Sequence, residues 1–255
     1  MSGHSKWAQI KHKKAAIDAK RGRLWTRLLR EVAVSARLGG GDPEGNARLR
    51  SAVQDARAAN VPNDTIDRAI QKGTGELEGE SYEEVAYEGY APGGVAVLVE
   101  AMTDNRNRTV AELRHIFSRH GGNLGESGCV AWMFDRRGLF VIERSALDEE
   151  AAMELAVELG VDDLSIDDDG YELHSSVEDY ARVREALEAR GVPLEVAQLA
   201  MIPQSWIAAG DAGQEARALR LIEALEEHDD VQNVWTNLDT VETAAGEGVL
   251  AAQVS

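Results

Sequence analysis

Leu24, Leu28 and Val32 recur at every fourth position, which lines them along one side of a helix. The run GGGDPEGN at 39–46 breaks that helix, and Leu49, Val53 and Ala56 restart the pattern. Val61-Pro62-Asn63-Asp64 supplies a stop and a new start, and Ile66, Ala69 and Ile70 form a third apolar stripe that Gly73 ends. The polar, glycine-bearing stretch 74–82 reads as a linker. Beyond it the period shortens to that of strands: 85–90 and 95–102, separated by the turn Pro92-Gly93-Gly94. Val110, Leu113, Ile116 and Phe117 predict a helix closed by Gly121-Gly122. The glycine-rich stretch 121–125 reads as a mobile surface loop, and 129–134 as a strand.

From residue 138 the elements become regular. Strand 139–142, helix 147–159, strands 164–166 and 171–173, helix 177–189 and strand 194–201 give the order β-α-β-β-α-β of a ferredoxin-like unit. Helix 215–227 and strand 231–237 complete a second such unit if they return to the sheet begun at residue 85. The predicted fold class is therefore α+β, with an N-terminal helical domain followed by two ferredoxin-like α/β domains, the third inserted in the second. The boundaries are 1–73 for the basic arm and helical domain, 83–136 plus 204–240 for the discontinuous α/β domain, 137–203 for the insertion and 241–255 for a tail.

Composition changes this picture mainly through charge. The chain has 255 residues and a formal net charge of −18, which alone argues against a nucleic-acid partner. The charges are segregated, however. Residues 1–72 hold 15 of the 27 basic residues and seven of the 45 acidic ones, a net of +8 that leaves −26 for the rest, and no lysine follows Lys72. A basic head on an acidic body points to a polyanion for the head. Within residues 1–23 the cations Lys6, Lys11, Lys13, Lys14, Lys20, Arg21 and Arg23 face one acid, Asp18, with His4 and His12 as further donors and Trp7 able to stack on a base. This arm is expected to be mobile until it meets its partner.

Thr103-Asp104-Asn105-Arg106-Asn107-Arg108-Thr109 lies between a strand end and a helix start, where Asp104 or Asn105 can cap the helix. Arg106 and Arg108 are cations at the wrong end of the helix dipole, and a bound phosphate reconciles them with the free N–H groups. An enzyme in a cleft between the α/β domains would draw on Asp104, Arg106 and Arg108, but no nucleophile–base pair is evident and a non-enzyme is expected. One cysteine, Cys129, excludes an internal disulfide and a thiolate cluster. His115 and His120 lack companions for zinc, Asp167–Asp169 suit a solvated turn better than a calcium loop, and no phosphate-loop glycine pattern is present. No metal or cofactor is expected. No apolar run approaches the roughly 20 residues that span a bilayer, and no secretory signal is visible, so the cytoplasm is the expected compartment and a membrane partner is not.

The segments GHSKWAQIKHKKAAIDAKRG, GGGDPEGNARLR, ANVPNDTIDRAIQKGTG, YEGYAPGGVAVLVEAMTDNRNRT and GGNLGESGCVAWMF together resemble the YebC/PmpR family of probable transcriptional regulatory proteins. The likeness is dense over 2–140 and looser beyond. It implies a cytoplasmic three-domain protein that binds DNA and regulates transcription. It also implies an alternative, since mitochondrial relatives are described as translational activators and other members are linked to ribosomes and relief of stalling at proline runs. In that alternative the arm contacts ribosomal RNA. The family carries no firmly shared catalytic set and no established enzyme. Trp25 and Cys129 depart from its pattern, as do the acidic third domain and the tail from Ala244. The resemblance leaves oligomeric state undetermined.

Overall fold

A computed structural model describes residues 21–79, 81–168 and 170–239. The expected tail at 241–255 and the arm up to Lys20 lie outside the described residues.

Three helices form the head: α1 (Arg21–Gly39), α2 (Ala47–Ala58) and α3 (Asn63–Thr74). Gly40, at φ 88°, ends α1 as the glycine run predicts. Asn46 then caps α2, its Oδ1 accepting from the Leu49 N–H at 3.1 Å while its Nδ2 donates to Ser35 O and Gly40 O at 2.8 and 2.9 Å. One buried amide thus stitches two helices together. The apolar stripes meet in a core of Val32, Ala36, Leu49, Val53, Val61 and Ile66. Gly73 does not end α3, which runs on to Thr74 and stops at Gly75, φ 82°. Gly73 serves close packing instead: a Cβ there would lie 2.2 Å from Ala33 O and 2.9 Å from the Ala36 Cβ of α1.

The first sheet contains β1 (Glu83–Ala91), β2 (Val95–Thr103), β3 (Asn123–Leu124) and β8 (Val231–Thr236), with α4 (Arg106–Arg119) and α7 (Ala212–Glu226) on one face. The second contains β4 (Phe134–Glu143), β5 (Asp163–Ile166), β6 (Gly170–Ser175) and β7 (Val196–Pro203), covered by α5 (Glu149–Leu159) and α6 (Tyr180–Ala189). The fold class is α+β with two antiparallel sheets. The second sheet has the order β5-β6-β4-β7, that of a β-α-β-β-α-β unit. The first does not: its order is β3-β1-β2-β8. The tight Pro92–Gly94 turn joins β1 and β2 as a hairpin, so they are forced to be neighbours, whereas a helix between the first two strands keeps them apart in a ferredoxin-like unit. Strand β8 returns to pair with β2, Val97 opposite Thr236.

The two sheets pack back to back. Val95, Val97 and Val99 of β2 face Leu113 and Phe117 of α4 and Leu221 and Leu225 of α7. Ala96 and Leu98, one residue out of phase, meet Trp235 of β8 and Leu139, Val141 and Ala200 of the second sheet. Phe140 and Ile142 of β4 face the other way, toward α5 and α6. Strands buried on both faces need no polar alternation, which is why β2 reads VAVLVEAMT. Glu100 interrupts that run and is satisfied at the seam, accepting from Trp235 Nε1 at 2.8 Å and Asn233 Nδ2 at 3.1 Å.

Two local expectations are corrected. Residues 121–125 are not a free loop: Leu124 and Asn123 pair with Gly89 and Tyr90, and a Cβ on Gly122 would lie 2.7 Å from Leu221 and from Tyr90 O. Residues 129–134 are not a strand but a bend and a 3-10 turn, Ala131–Met133, before β4 begins at Phe134. The N–H groups of Val130 and Ala131 go to a side chain, described below.

Gly73→Ala tests the helix contact. The change raises helix propensity by about 1 kcal/mol. The backbone oxygen at 2.2 Å cannot be met without parting α1 from α3, so a net loss of about 1–3 kcal/mol is expected in urea denaturation.

Candidate nucleic-acid interface

The cations of α1 divide by helical spacing. Arg23, Arg27 and Arg30 share one side of α1, and that side faces the C-terminal end of α7 and the turn after it. Arg23 lies 3.8 Å from Glu227, Arg27 donates to Glu226 O, and Arg30 donates to Asp229 O and pairs with Asp230 at 3.2 Å. Arg30 also sits 4.8 Å above the Tyr82 ring. A helix C-terminus presents unbonded carbonyls and negative potential, so α7 is a natural acceptor for guanidinium groups. Burial lowers the Arg27 pKa from its ordinary value.

Asp230 is the centre of this contact. Its side chain is 3% exposed and receives Arg30 from the head and Arg108 from α4, the latter at 2.8 Å. Thr109 Oγ1 donates to it at 2.7 Å and lies 2.8 Å from Thr103 Oγ1. Burial opposes the Asp230 charge, but the Arg108 and Thr109 hydrogen bonds and the Arg108 and Arg30 charges outweigh it and hold the carboxyl below the usual range. Asn105 caps α4, accepting from the Arg108 N–H at 3.1 Å. The anions that Arg106 and Arg108 require are internal: Glu83 at 3.1 Å from Arg106, and Asp104 and Asp230 for Arg108. Sequence reading found these arginines without their acids, because Asp230 stands 122 positions from Arg108.

A second attachment joins the head to the other sheet. Arg184 of α6, almost buried, reaches Asp55 of α2 at 2.7 Å and Glu188 at 2.9 Å, and Arg50 lies 3.7 Å from Glu185. Arg48 holds Glu31 at 2.7 Å and also pairs with Glu84 at the start of β1.

Of the candidates read from the sequence, His4, Lys6, Trp7, Lys11, His12, Lys13, Lys14 and Lys20 lie outside the described residues. Arg21 opens α1. Arg23, Arg106 and Arg108 come to acids of the body, Glu227, Glu83 and Asp230 respectively. Sequence reading did not single out Arg57, Arg68 and Lys72, which are exposed on α2 and α3 and have no carboxylate partner among the described residues. Their only signal is position, on the polar side opposite each apolar stripe.

Glu88, buried on β1, organises the segment after β3. Its carboxylate accepts the N–H groups of Gly128, Val130 and Ala131 at 2.6, 2.7 and 2.7 Å. Burial works against its charge, yet these three bonds hold it below the usual carboxylate range. Cys129 packs alongside, its thiol pushed up by burial and by the Glu88 charge. Glu112, His228 and Asp230 have ligand-type atoms within 4.8 Å of one another. His228 Nδ1 accepts the Asp230 N–H at 3.1 Å, leaving Nε2 to donate to Glu112 at 2.9 Å, and Asp230 is already balanced by two arginines. This group is a hydrogen-bonded ion network and does not suit a cation. Among the described residues no helix is long and apolar enough to cross a membrane.

Comparison with known proteins bears on the whole chain. Residues 5–76 match the family model described as the TACO1/YebC protein N-terminal domain, and residues 82–238 the one described as the TACO1/YebC second and third domain. A probable transcriptional regulatory protein of Pelotomaculum thermopropionicum is 58% identical over 94% of this chain and 99% of its own length. One from Syntrophus aciditrophicus is 55% identical over 94% of this chain and 96% of its own. The crystal structure of a conserved hypothetical protein from Aquifex aeolicus superposes with a TM-score of 0.86 at 49% identity, covering 95% of this chain and 100% of that one.

Replacing Asp230 by Asn leaves Arg30 facing a neutral amide in a nearly dry site. Urea denaturation at neutral pH should show a loss of about 3 kcal/mol. The wild-type contribution is complete above the unfolded carboxyl value of about 3.9 and falls away as pH drops through the lower folded value. Asp230→Asn should therefore lose less stability than wild type on acidification below that point.

Proposed function

The chain belongs to the TACO1/YebC family, and from that premise we propose that it is a regulatory protein acting through nucleic acid, which its basic N-terminal arm grips by the phosphates. Its relatives bear the name probable transcriptional regulatory protein, and the role proposed for this chain is likewise regulatory and non-catalytic.

The observation that carries the reading is the division of the head's cations. Arg23, Arg27 and Arg30 serve to dock the head on the acidic body. To an outside polyanion we assign Lys6, Lys11, Lys13, Lys14, Lys20 and Arg21, supported by Arg57, Arg68 and Lys72, which are exposed with no carboxylate partner among the described residues. Lysine and arginine bound to phosphates release condensed counterions, a gain that falls steeply as salt rises. His4, His12 and Trp7 add hydrogen-bond and stacking capacity to the same arm. The body, with its net of −26, repels polyanions over most of its surface and so directs their approach to the head. This reading leaves Arg106 and Arg108 out of the grip, since carboxylates of the body stand against them. Phosphate contacts set position and not sequence, so the arm is an anchor and selectivity comes from elsewhere.

Charge reversal checks the anchor. With Lys11, Lys13 and Lys14 all changed to Glu, binding to labelled duplex DNA and single-stranded RNA, followed by fluorescence anisotropy at low salt, should fall at least about tenfold, since each lost phosphate contact also lowers the salt slope by about 0.9. The melting temperature should stay within about 2 °C of wild type, the range for surface changes in a chain of this size. Undiminished binding by the triple variant would overturn the proposal.

A further inference from the structure

Trp132 is turned outward where its neighbours are turned in. The residue is 66% exposed, while Val130 and Phe134 on either side are buried between the two sheets. The hydrophobic effect alone favours the opposite arrangement, since the largest apolar side chain of the segment is the one left in water.

The exposure does not come from a slack loop. Glu88 holds the N–H groups of Gly128, Val130 and Ala131, the Tyr90 hydroxyl donates to Cys129 O at 3.0 Å, and the Gln204 N–H donates to Met133 O at 2.9 Å. The backbone is therefore fixed on both sides of residue 132. The ring is fixed as well, because its Nε1–H donates to Cys129 O at 3.2 Å. That is the indole's only hydrogen-bonding group, so what it shows to solvent is a pinned aromatic face with no directional demand.

A surface of that kind suits another flat ring. Base–aromatic stacking is tolerant of sequence because every base has a π face, and it needs a base whose own faces are free. The charge pattern selects a nucleobase over other flat groups. The head carries the basic arm, and Arg136, four residues beyond Trp132, is exposed and makes no direct ion pair among the described residues, its charge being felt at Glu84 near the head. Glu126 and Asp135 lie on the same segment; Asp135 accepts from Gln204 Nε2 at 3.2 Å. Their charge disfavours a phosphate on the indole itself and leaves it a site for the base.

We propose that Trp132 is a stacking platform for an unpaired base of the nucleic acid held by the arm, so that the target of this protein contains a single-stranded segment. The inference rests on the anchor reading above and adds to it the state of the target.

The test uses the full chain with a fluorescein-labelled mixed-sequence strand, as RNA and as DNA, free and annealed to its complement. Binding is read by anisotropy at low salt against the single strand that wild type holds more tightly. Trp132→Ala should weaken binding to that strand at least about fivefold, the lower bound for stacking on one base, and leave the duplex affinity unchanged. Trp132→Phe should restore most of the loss, and both variants should keep the wild-type melting temperature. Equal single-strand affinity for Trp132→Ala and wild type overturns the proposal, as does an equal loss on strand and duplex. The Lys11, Lys13 and Lys14 charge-reversal variant, run beside it, separates the two readings. A loss there with none in Trp132→Ala removes the platform and leaves the anchor, whereas no loss in either removes both.

Discussion

A carboxylate removed from water must be matched on nearly every side, and Asp230 shows what that requirement imposes. It receives one arginine from the helical head, another from α4, and a threonine hydroxyl. Its own N–H fixes the tautomer of His228, and its carbonyl accepts the Met102 N–H of β2 at 2.8 Å. The docking of α1, the start of α4 and the entry into β8 therefore all meet at one residue. A buried ion pair adds little to stability in itself, but the loss of one member is costly, so such a group acts as a registration point.

The charge asymmetry takes on a second meaning in this light. Read along the chain, +8 followed by −26 suggests a positive surface and a negative one. In space the two are partly interlocked, with α1 laid against the acidic end of α7 and Asp55 of the head held by Arg184 of α6. The segregation thus serves internal docking as well as an external partner.

What the sequence discloses depends on how local the cause is. The helices of the head, the continuous apolar strand β2 and the order of elements from 138 onward all follow from periodicity and turn chemistry. The errors arise where a distant residue decides. Residues 129–134 have the apolar content of a strand, yet Glu88, some forty positions earlier, takes the N–H groups a strand would offer a neighbour. The first sheet was expected to be ferredoxin-like because its helices and strands suffice for one, but the short Pro92–Gly94 hairpin dictates adjacency of β1 and β2. Gly73 looks like a helix stop and is instead the point where two helix backbones nearly touch. Arg106 and Arg108 were legible as cations in need of an anion; that the anion is part of the protein was not, since Glu83 and Asp230 are brought to them only by the sheet.

The head is fastened at more than one place, and the places belong to different sheets. Arg30 meets Asp230 beside the first, and Asp55 meets Arg184 on the second, while the sheets themselves are bonded face to face through Leu98, Trp235 and Leu139. Three bodies joined pairwise make a triangulated frame. A frame of that kind resists shear as a single hinge does not: a pull on the N-terminal segment is shared by the fastenings and by the seam between the sheets, and none of these can yield alone.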